Sequence, residues 1–458
     1  MDSRLSGRVC HRHCLSIFHH RPDARSVVRQ GRVAGGEGGH AVYHQLAGGH
    51  VRPDGDWPVR LVQTRLWRRG GGEHARILVA DANRDAGGIR HRLSDQLVAR
   101  EIGPEGKDVT LTDRLALTVP IFQAPMAGVS TPALAAAVCE AGGLGALGLG
   151  SSNAETARTM IRETRERTTR PFNVNLFVHA DPAEDWPRET AWLKALGHSF
   201  AEAGAEPPDA LRTIYRSFAH DDAMLAMLLD EKPAVVSFHF GLPDAGRITA
   251  LHEAGCLLLA TATSPDEARA AERAGIDAIV AQGFEAGGHR GIFDPDGHDE
   301  QLGTLALTRL LASRCSVPVI AAGGIMDGAG IRAALDLGAI AAQLGTAFIA
   351  CPESAADDGY RAALTGEAAE HTIMTRAISG RPARALANRF TRLGSSIDVP
   401  PPDYPRAYDA GKALNAAHKA KGEAGFGAQW AGQGAPLIRA MPASELMAQL
   451  RRELHDVR

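Results

Sequence analysis

From Val109 onward the chain alternates short runs of β-branched and apolar residues with longer Ala/Leu/Glu/Arg-rich runs at helical spacing, the pattern of βα units feeding a parallel sheet. Eight apolar runs read as strands: Val119–Gln123, Gly145–Leu149, Phe172–Val178, Ala234–Phe240, Cys256–Thr261, Ala278–Gln282, Val317–Ala322 and Ile340–Gly345. Helices are predicted between them, among them Thr131–Ala141 with Pro132 at its first turn, Ser152–Arg167, and Pro265–Ala274 with Ser264 as N-cap. Eight such units predict a (β/α)8 TIM barrel. An open doubly wound sheet is the alternative, but residues with chemical potential follow nearly every strand, which is where a barrel gathers its site. The third crossover, about residues 180–233, exceeds one helix and contains Trp186-Pro187 and Glu206-Pro207-Pro208, so it predicts a small helical insertion capping the barrel mouth. Residues 350–458 predict a helical extension with loops around Pro400-Pro401 and a last amphipathic helix from about Ala443 to His455.

Residues 1–106 lack this patterning. They hold 17 Arg and no Lys, and nine of the chain's 19 His. Arg76–Ala80 has strand character without an evident partner, so the segment is expected to be non-globular and largely disordered. Two origins fit: a genuine tail, or spurious translation of GC-rich DNA upstream of the true start. The domain boundaries read as 1–106 and 107–458. The cluster Cys10-His11-Arg12-His13-Cys14 is too tightly spaced for a zinc pair, and no metal site is expected.

The charge balance adds exclusions. Net charge is −3 over 458 residues, with no basic bias toward nucleic acid or membrane. Six scattered cysteines without CxxC spacing argue against a disulfide framework and fit a reducing cytoplasm. No signal peptide or membrane span is apparent, so a soluble monomer or homodimer acting on a small molecule is expected.

The chemistry concentrates in loops after strands. Ala281-Gln282-Gly283-Phe284-Glu285-Ala286-Gly287-Gly288-His289-Arg290-Gly291 places one histidine at the end of a glycine-rich turn following an apolar strand. Gly323-Gly324 follows strand seven, and Gln343-Leu344-Gly345-Thr346 ends strand eight, the two places where barrels aim backbone N–H groups at a phosphate. No dinucleotide GxGxxG follows strand one, and there is no Walker A loop. A phosphate in this corner with a flat ring across the mouth describes FMN. Strand one ends in Gln123-Ala124-Pro125-Met126-Ala127-Gly128, where small residues and a thioether give a ring a surface to lie on. Asn173 and Asn175 point the same way in an otherwise apolar strand, with Asn175 nearer the mouth and assigned to ligand.

Together Pro120–Gly128, Asn173–Val178, Phe238-His239-Phe240-Gly241-Leu242-Pro243, Ala281–Gly291 and the two phosphate loops resemble the nitronate monooxygenases, formerly 2-nitropropane dioxygenases, of the class I type. The resemblance runs from about Val109 to the mid-300s and more loosely through the tail. The diglycine loops are shared with flavin-dependent enoyl-ACP reductases and IMP dehydrogenase relatives; the loop ending in His289 and the Phe-x-Phe-Gly-x-Pro loop are more specific. The resemblance implies bound FMN contacted by Ala124, Pro125, Met126, Asn175, Gln282, Gly287, Gly288, Gly323, Gly324, Gln343, Leu344, Gly345 and Thr346, with His289 at the reactive face. It implies oxidation of alkyl nitronates, with propionate 3-nitronate as target, by O2 to a carbonyl compound and nitrite, a detoxifying activity. An FMN-dependent NAD(P)H:quinone or enoyl-thioester reductase on the same barrel is the alternative; a silent flavin-binding protein and a non-flavin phosphosugar barrel rank below it.

His289 has two chemically sensible roles: a cation or N–H donor binding nitronate oxygens, or a neutral base removing the α-proton of a nitroalkane. His239 reads as a hydrogen-bonded wall residue. Arg381 and Arg384 either brace the phosphate corner or pair with helix acids on a solvated face, and Cys351 reads as small buried packing.

Overall fold

The structure, a computed structural model, describes residues 27–31, 41–47, 59–69, 72–82, 98–102 and 110–456. The chain divides into two units, Met1–Thr110 and Leu111–Arg458. In the first, the strands Val27–Gly31, Ala41–Ala47, Val59–Arg69, Gly72–Ala82 and Val98–Ile102 pair in chain order as an antiparallel meander. The predicted strand piece Arg76–Ala80 lies inside Gly72–Ala82 and has a partner on each side. Those partners were hidden in sequence because arginines and glycines interrupt their apolar runs. The expectation of disorder over the rest of 1–106, and the Cys10–Cys14 cluster, lie outside the described residues.

The second unit is the barrel. Its strands are β1 (Ile121–Gln123), β2 (Ala146–Gly148), β3 (Asn173–Phe177), β4 (Val235–His239), β5 (Leu257–Ala262), β6 (Ala278–Gln282), β7 (Val319–Ala322) and β8 (Ala341–Leu344). Neighbours pair in parallel in the order β1-β8-β7-β6-β5-β4-β3-β2, and a parallel bridge between Phe122 and Leu144 closes the ring. Each lies within a predicted run except β5, which runs one residue past it to Ala262. The first residues of β4, β5 and β6, Val235, Leu257 and Ala278, pack with Phe122, Val280 and Ile320 into one buried cluster. The cluster extends to Leu111 and Leu115, Leu111 opening the short helix α1 (Leu111–Arg114), so the N-terminal end of the lumen is plugged and only the other end can hold a site.

Helices α2 (Pro132–Glu140) and α3 (Ala154–Arg167) follow β1 and β2. Pro132 opens α2 as predicted, with Thr131 as its cap rather than its first helical residue; α3 starts later than predicted because Asn153 takes the cap, accepting from Thr156 N at 2.9 Å. After β3 come two helices with different tasks. Helix α4 (Trp186–Glu202) leaves the ring to become part of a lid, whereas α5 (Asp222–Glu231) packs outside the barrel against α3 and against α6 (Ala245–Glu253). The capping part of 180–233 is therefore its first half. Helices α7 (Pro265–Arg273), α8 (Thr304–Arg314) and α9 (Gly328–Asp336) continue the ring, and Ser264 caps α7 through Glu267 N.

After β8 comes only the four-residue α10 (Thr346–Ile349). The chain then builds the lid: α11 (Asp358–Thr365), the antiparallel strands Thr372–Thr375 and Ala383–Leu386, α12 (Arg389–Ser396) and α13 (Arg406–Lys419). Helix α13 packs on α4 through a cluster containing Trp192, Leu196, Phe200, Ala410 and Leu414. The two are also tied by Arg406 and Glu189, which meet in two hydrogen bonds of 2.6 and 2.8 Å, both side chains buried. The last helix, α14 (Ala443–Asp456), returns to the ring. It packs between α9 and α2, with Leu446, Met447 and Leu450 buried there, and so occupies the position a barrel gives to its eighth helix.

Candidate active site

A cavity of about 820 Å³ lies between the C-terminal ends of the strands and the lid. Ala124, Pro125 and Met126 line it after β1, Asn175 from β3, Gln282 from the end of β6, and Gly287, Gly288 and His289 from the loop beyond. Gly323 and Gly324 line it after β7, and Gln343, Gly345 and Thr346 after β8. One residue singled out from sequence departs. Leu344 is 1% exposed and packs outward with Leu134, Ile325 and Phe348, because alternation along β8 turns Gln343 to the cavity and its neighbour to the helices. Its backbone carbonyl is also taken, accepting from Ala124 N at 2.8 Å.

Two glycines are explained by crowding. A Cβ on Gly287 would stand 2.4 Å from Gly432 N and 2.6 Å from Ala431 C, so the 430s segment can lie against the loop only if that residue is glycine. Gly323 has φ +125°, and a Cβ there would approach Thr304 Oγ1 to 2.6 Å. Across the same corner, the backbone N–H groups of Gly324, Gly345 and Thr346 donate to no backbone carbonyl among the described residues.

The polar side chains are held firmly. Asn175 Nδ2 donates to Ser237 Oγ at 2.9 Å and to Ser237 O at 3.2 Å, so what the amide offers the cavity is its oxygen. Asn173, by contrast, is absent from the lining, and its buried Oδ1 has no partner among the described residues. Gln282 braces the loop, donating from Nε2 to His289 O at 3.0 Å and accepting at Oε1 from Gly291 N at 2.7 Å. His239 is a hydrogen-bonded wall histidine. Its Nε2 lies 3.1 Å from His289 O, which can only accept, so Nε2 carries the proton and Nδ1 accepts from Thr261 Oγ1 at 3.0 Å. Burial pushes its pKa down to about 4.

His289 sits in a two-residue strand, Gly288–His289, paired antiparallel with Ala383–Leu386, so the lid's own sheet positions it. Its ring lies edge-on to Phe240 at 5.4 Å and to Tyr404 at 5.4 Å, with Trp430 at 5.1 Å. Nε2 is 2.9 Å from Ser379 Oγ, itself 3.3 Å from Arg381 O. Because that carbonyl only accepts, the serine proton goes to it and the imidazole donates from Nε2, which leaves Nδ1 as the lone-pair nitrogen. Burial holds the imidazole well below the ordinary histidine value, and the neighbouring His239, Arg381 and His179 push the same way. Of the two roles open from sequence, the surroundings favour the neutral base.

Several lining residues were missed in the sequence, and all but one belong to the lid. Tyr404, just before α13, and Tyr408 and Lys412 in its first two turns recur every four residues and all line the cavity, as do Tyr215 and Trp430. That spacing was the available signal, reinforced by scarcity: the chain has five Tyr, and Tyr215, Tyr360, Tyr404 and Tyr408 all face this one space. The Tyr404 hydroxyl is buried without a partner among the described residues, and burial raises its pKa well above the usual phenol value, so it stays an O–H donor. Lys412 Nζ stands 5.1 Å from the Tyr215 ring centroid and 5.6 Å from that of Tyr408. Arg384, assigned in sequence to the phosphate corner or to surface acids, does neither: it donates to Phe284 O at 2.9 Å and lies over the Phe284 ring.

Fold and site define a (β/α)8-barrel enzyme with a lidded, aromatic-walled chamber lined by two neutral histidines, His239 and His289. The sequence profile of the nitronate monooxygenase family matches residues 109–453. The nitronate monooxygenase of Paraburkholderia phytofirmans is 64% identical over 341 residues, covering 74% of this chain and 93% of that protein. That of Pseudomonas aeruginosa is 56% identical over 349 residues, covering 75% and 99%. Among solved structures, a nitroalkane oxidase from Streptomyces ansochromogenes is 44% identical with a TM-score of 0.69, covering 74% of this chain and 97% of that one. FabK from Thermotoga maritima is more distant, 31% identical with a TM-score of 0.58, covering 76% and 96%. The chain belongs to the nitronate monooxygenase family and is an oxidoreductase.

Proposed function

We propose that this enzyme binds FMN and oxidises alkyl nitronates with O2 to a carbonyl compound and nitrite, with the dianion propionate 3-nitronate as its substrate and detoxification as its role. One observation carries the reading: a neutral His289 with an unprotonated Nδ1 stands in a chamber whose far corner offers the unpartnered N–H groups of Gly324, Gly345 and Thr346. Those amides fit a phosphate, and the groups between them fit a flavin: the Met126 thioether for a ring face and the Asn175 oxygen for an N–H. Bound there, FMN supplies the electron transfer and the reaction with O2.

The chain's own residues do the rest. The Tyr404 hydroxyl donates to a nitronate oxygen, and the aromatic walls exclude water from it. Lys412 stands at the lid side of the chamber and pairs with a carboxylate on the far end of the substrate. When a neutral nitroalkane enters instead, His289 Nδ1 accepts its α-proton, so the nitronate forms in place.

The test is the visible spectrum of the purified protein, followed by anaerobic addition of propionate 3-nitronate and, separately, NADH. Yellow protein bleached by the nitronate alone is expected. Bleaching by NADH alone would move the enzyme to the reductase branch; colourless protein would remove FMN.

A further inference from the structure

The buried arginines of the barrel and lid differ in one respect. Arg247, Arg290 and Arg406 each have a carboxylate within salt-bridge distance: Asp222, Asp299 and Glu189. Arg384, also 4% exposed, has no acid partner among the described residues either but turns Nε and Nη2 to Phe284 O; Arg381, only 4% exposed, has none and lacks that second anchor. Its Nη2 donates to Ile292 O, and its Nε–H has no acceptor among the described residues. The nearest acids, Asp294 and Asp296, are out of bridging reach, and Asp296 is paired with Arg376 at 2.7 Å. A buried cation left unneutralised is costly, so its place calls for an explanation.

Phe240 supplies it. The guanidinium carbon lies 4.2 Å from the Phe240 ring centroid, and His289 stands edge-on to the same ring, centroid to centroid 5.4 Å. The two separations together put the charge within about 10 Å of the imidazole. Phe240 holds this place at φ +78°, a left-handed backbone conformation that costs a bulky residue about 1–3 kcal/mol. The ring is 1% exposed and packs also on Tyr404, at 5.5 Å, so it walls the cation off from the chamber without neutralising it.

We propose that Arg381 is an electrostatic positioning residue, a permanent cation behind Phe240 that supplies the counter-charge for an oxyanion bound beside His289. It rests on the nitronate reading above. It also reconciles two demands on the site: the group that takes a proton must be uncharged, yet the bound species is an anion. Placing the positive charge on a guanidinium, whose pKa burial lowers only to about 10 and which therefore stays charged at neutral pH, meets both. Titratable groups facing His289 from the packed elements are His239, His179, Tyr404 and Tyr408, and the cation opposes protonation of all three histidines.

The experiment compares wild type with Arg381→Met, Arg381→Gln and Arg381→Lys. Nitrate, a planar oxyanion that is not turned over, is titrated by calorimetry into the protein as isolated. At about 10 Å and an effective dielectric near 20, losing the charge should weaken nitrate about tenfold in both neutral variants, whereas the lysine variant should stay within about threefold of wild type. In turnover, Arg381→Gln should lower kcat/KM for ethyl nitronate about tenfold, lower that for neutral nitroethane less, and move the acid limb of the nitroethane profile to higher pH. Unchanged nitrate affinity in both neutral variants, or equal damage in the lysine variant, would overturn the proposal and leave Arg381 a packing staple. Should only one neutral variant fold, the comparison stands on the other. Nitrate binding is read without turnover, so an enzyme inactive on nitronates would defeat the proposed function while leaving this test intact.

Discussion

Glu189→Ala should open the lid while leaving the barrel folded. Arg406 is 5% exposed and bound by Glu189 through two short hydrogen bonds; the other acid near it, Glu184, is 4.0 Å away with a side chain 69% exposed, too distant and too well solvated to take over. Removing one partner of such a pair strands a buried charge at a cost of about 3–5 kcal/mol. The cost falls on the contact between α4 and α13, so it appears as local opening rather than global unfolding. Amide hydrogen exchange in these two helices should accelerate by at least about 150-fold, the equivalent of about 3 kcal/mol. Protection in β4 to β7 should hardly change. The double variant Glu189→Leu/Arg406→Met removes both charges and should recover to within about 1 kcal/mol of wild type. Less than tenfold acceleration in the single variant, or a double variant worse than either single, would refute the assignment of this pair as the lid's clamp.

Other expectations follow from the chamber. His289→Asn should retain the cofactor and depress nitroalkane turnover by about 10²–10⁴-fold, with a smaller loss on preformed nitronate, checked by steady-state kinetics on both. His239 and His289 have folded pKa values below the unfolded one, so the unfolded chain binds the extra protons. Stability should therefore be fully present above about pH 6.5 and decline as pH falls toward 4, measured by urea midpoints across that window. Lys412→Met should raise KM for propionate 3-nitronate about two- to fivefold and leave that for ethyl nitronate nearly unchanged, since an exposed ammonium contributes about 1 kcal/mol or less to one carboxylate. Deleting residues 1–106 should preserve yellow colour and activity, because the family match starts at residue 109; loss of soluble, coloured protein would contradict that.

The barrel was legible because each strand is a short apolar run bounded by loop residues, and Ser264 or Thr131 announces the helix that follows. The strand-end residues were legible for the same reason: Gln282, Gly287, Gly324 and Gln343 follow directly from strand polarity. Leu344 departs because the strand-end run Gln343–Thr346 reads as one set of ligand contacts, whereas β8 still alternates at Leu344 and turns its side chain to the helices. The lid was poorly legible. Tyr404 and Trp430 reach the chamber, and Ser379 reaches His289, through tertiary packing, and nothing in the local text around Ser379 says that its hydroxyl will meet an imidazole 90 positions earlier. Arg381 was visible as an arginine, but only burial without an acid partner gives it meaning.

The return of α14 to the ring has a consequence for biogenesis. The contacts of α14 with α2 join segments about 300 residues apart, among the most distant pairings the fold must make, and they form last in a chain synthesised from its N-terminus. Every residue of the lid has left the ribosome before the barrel's outer layer can be sealed. The chamber is thus assembled around an unfinished wall, and the final fourteen-residue helix acts as the bolt that locks it. Ribosome stalling or proteolytic clipping within α14 would yield chains with a complete set of chamber residues and an open flank at α2 and α9.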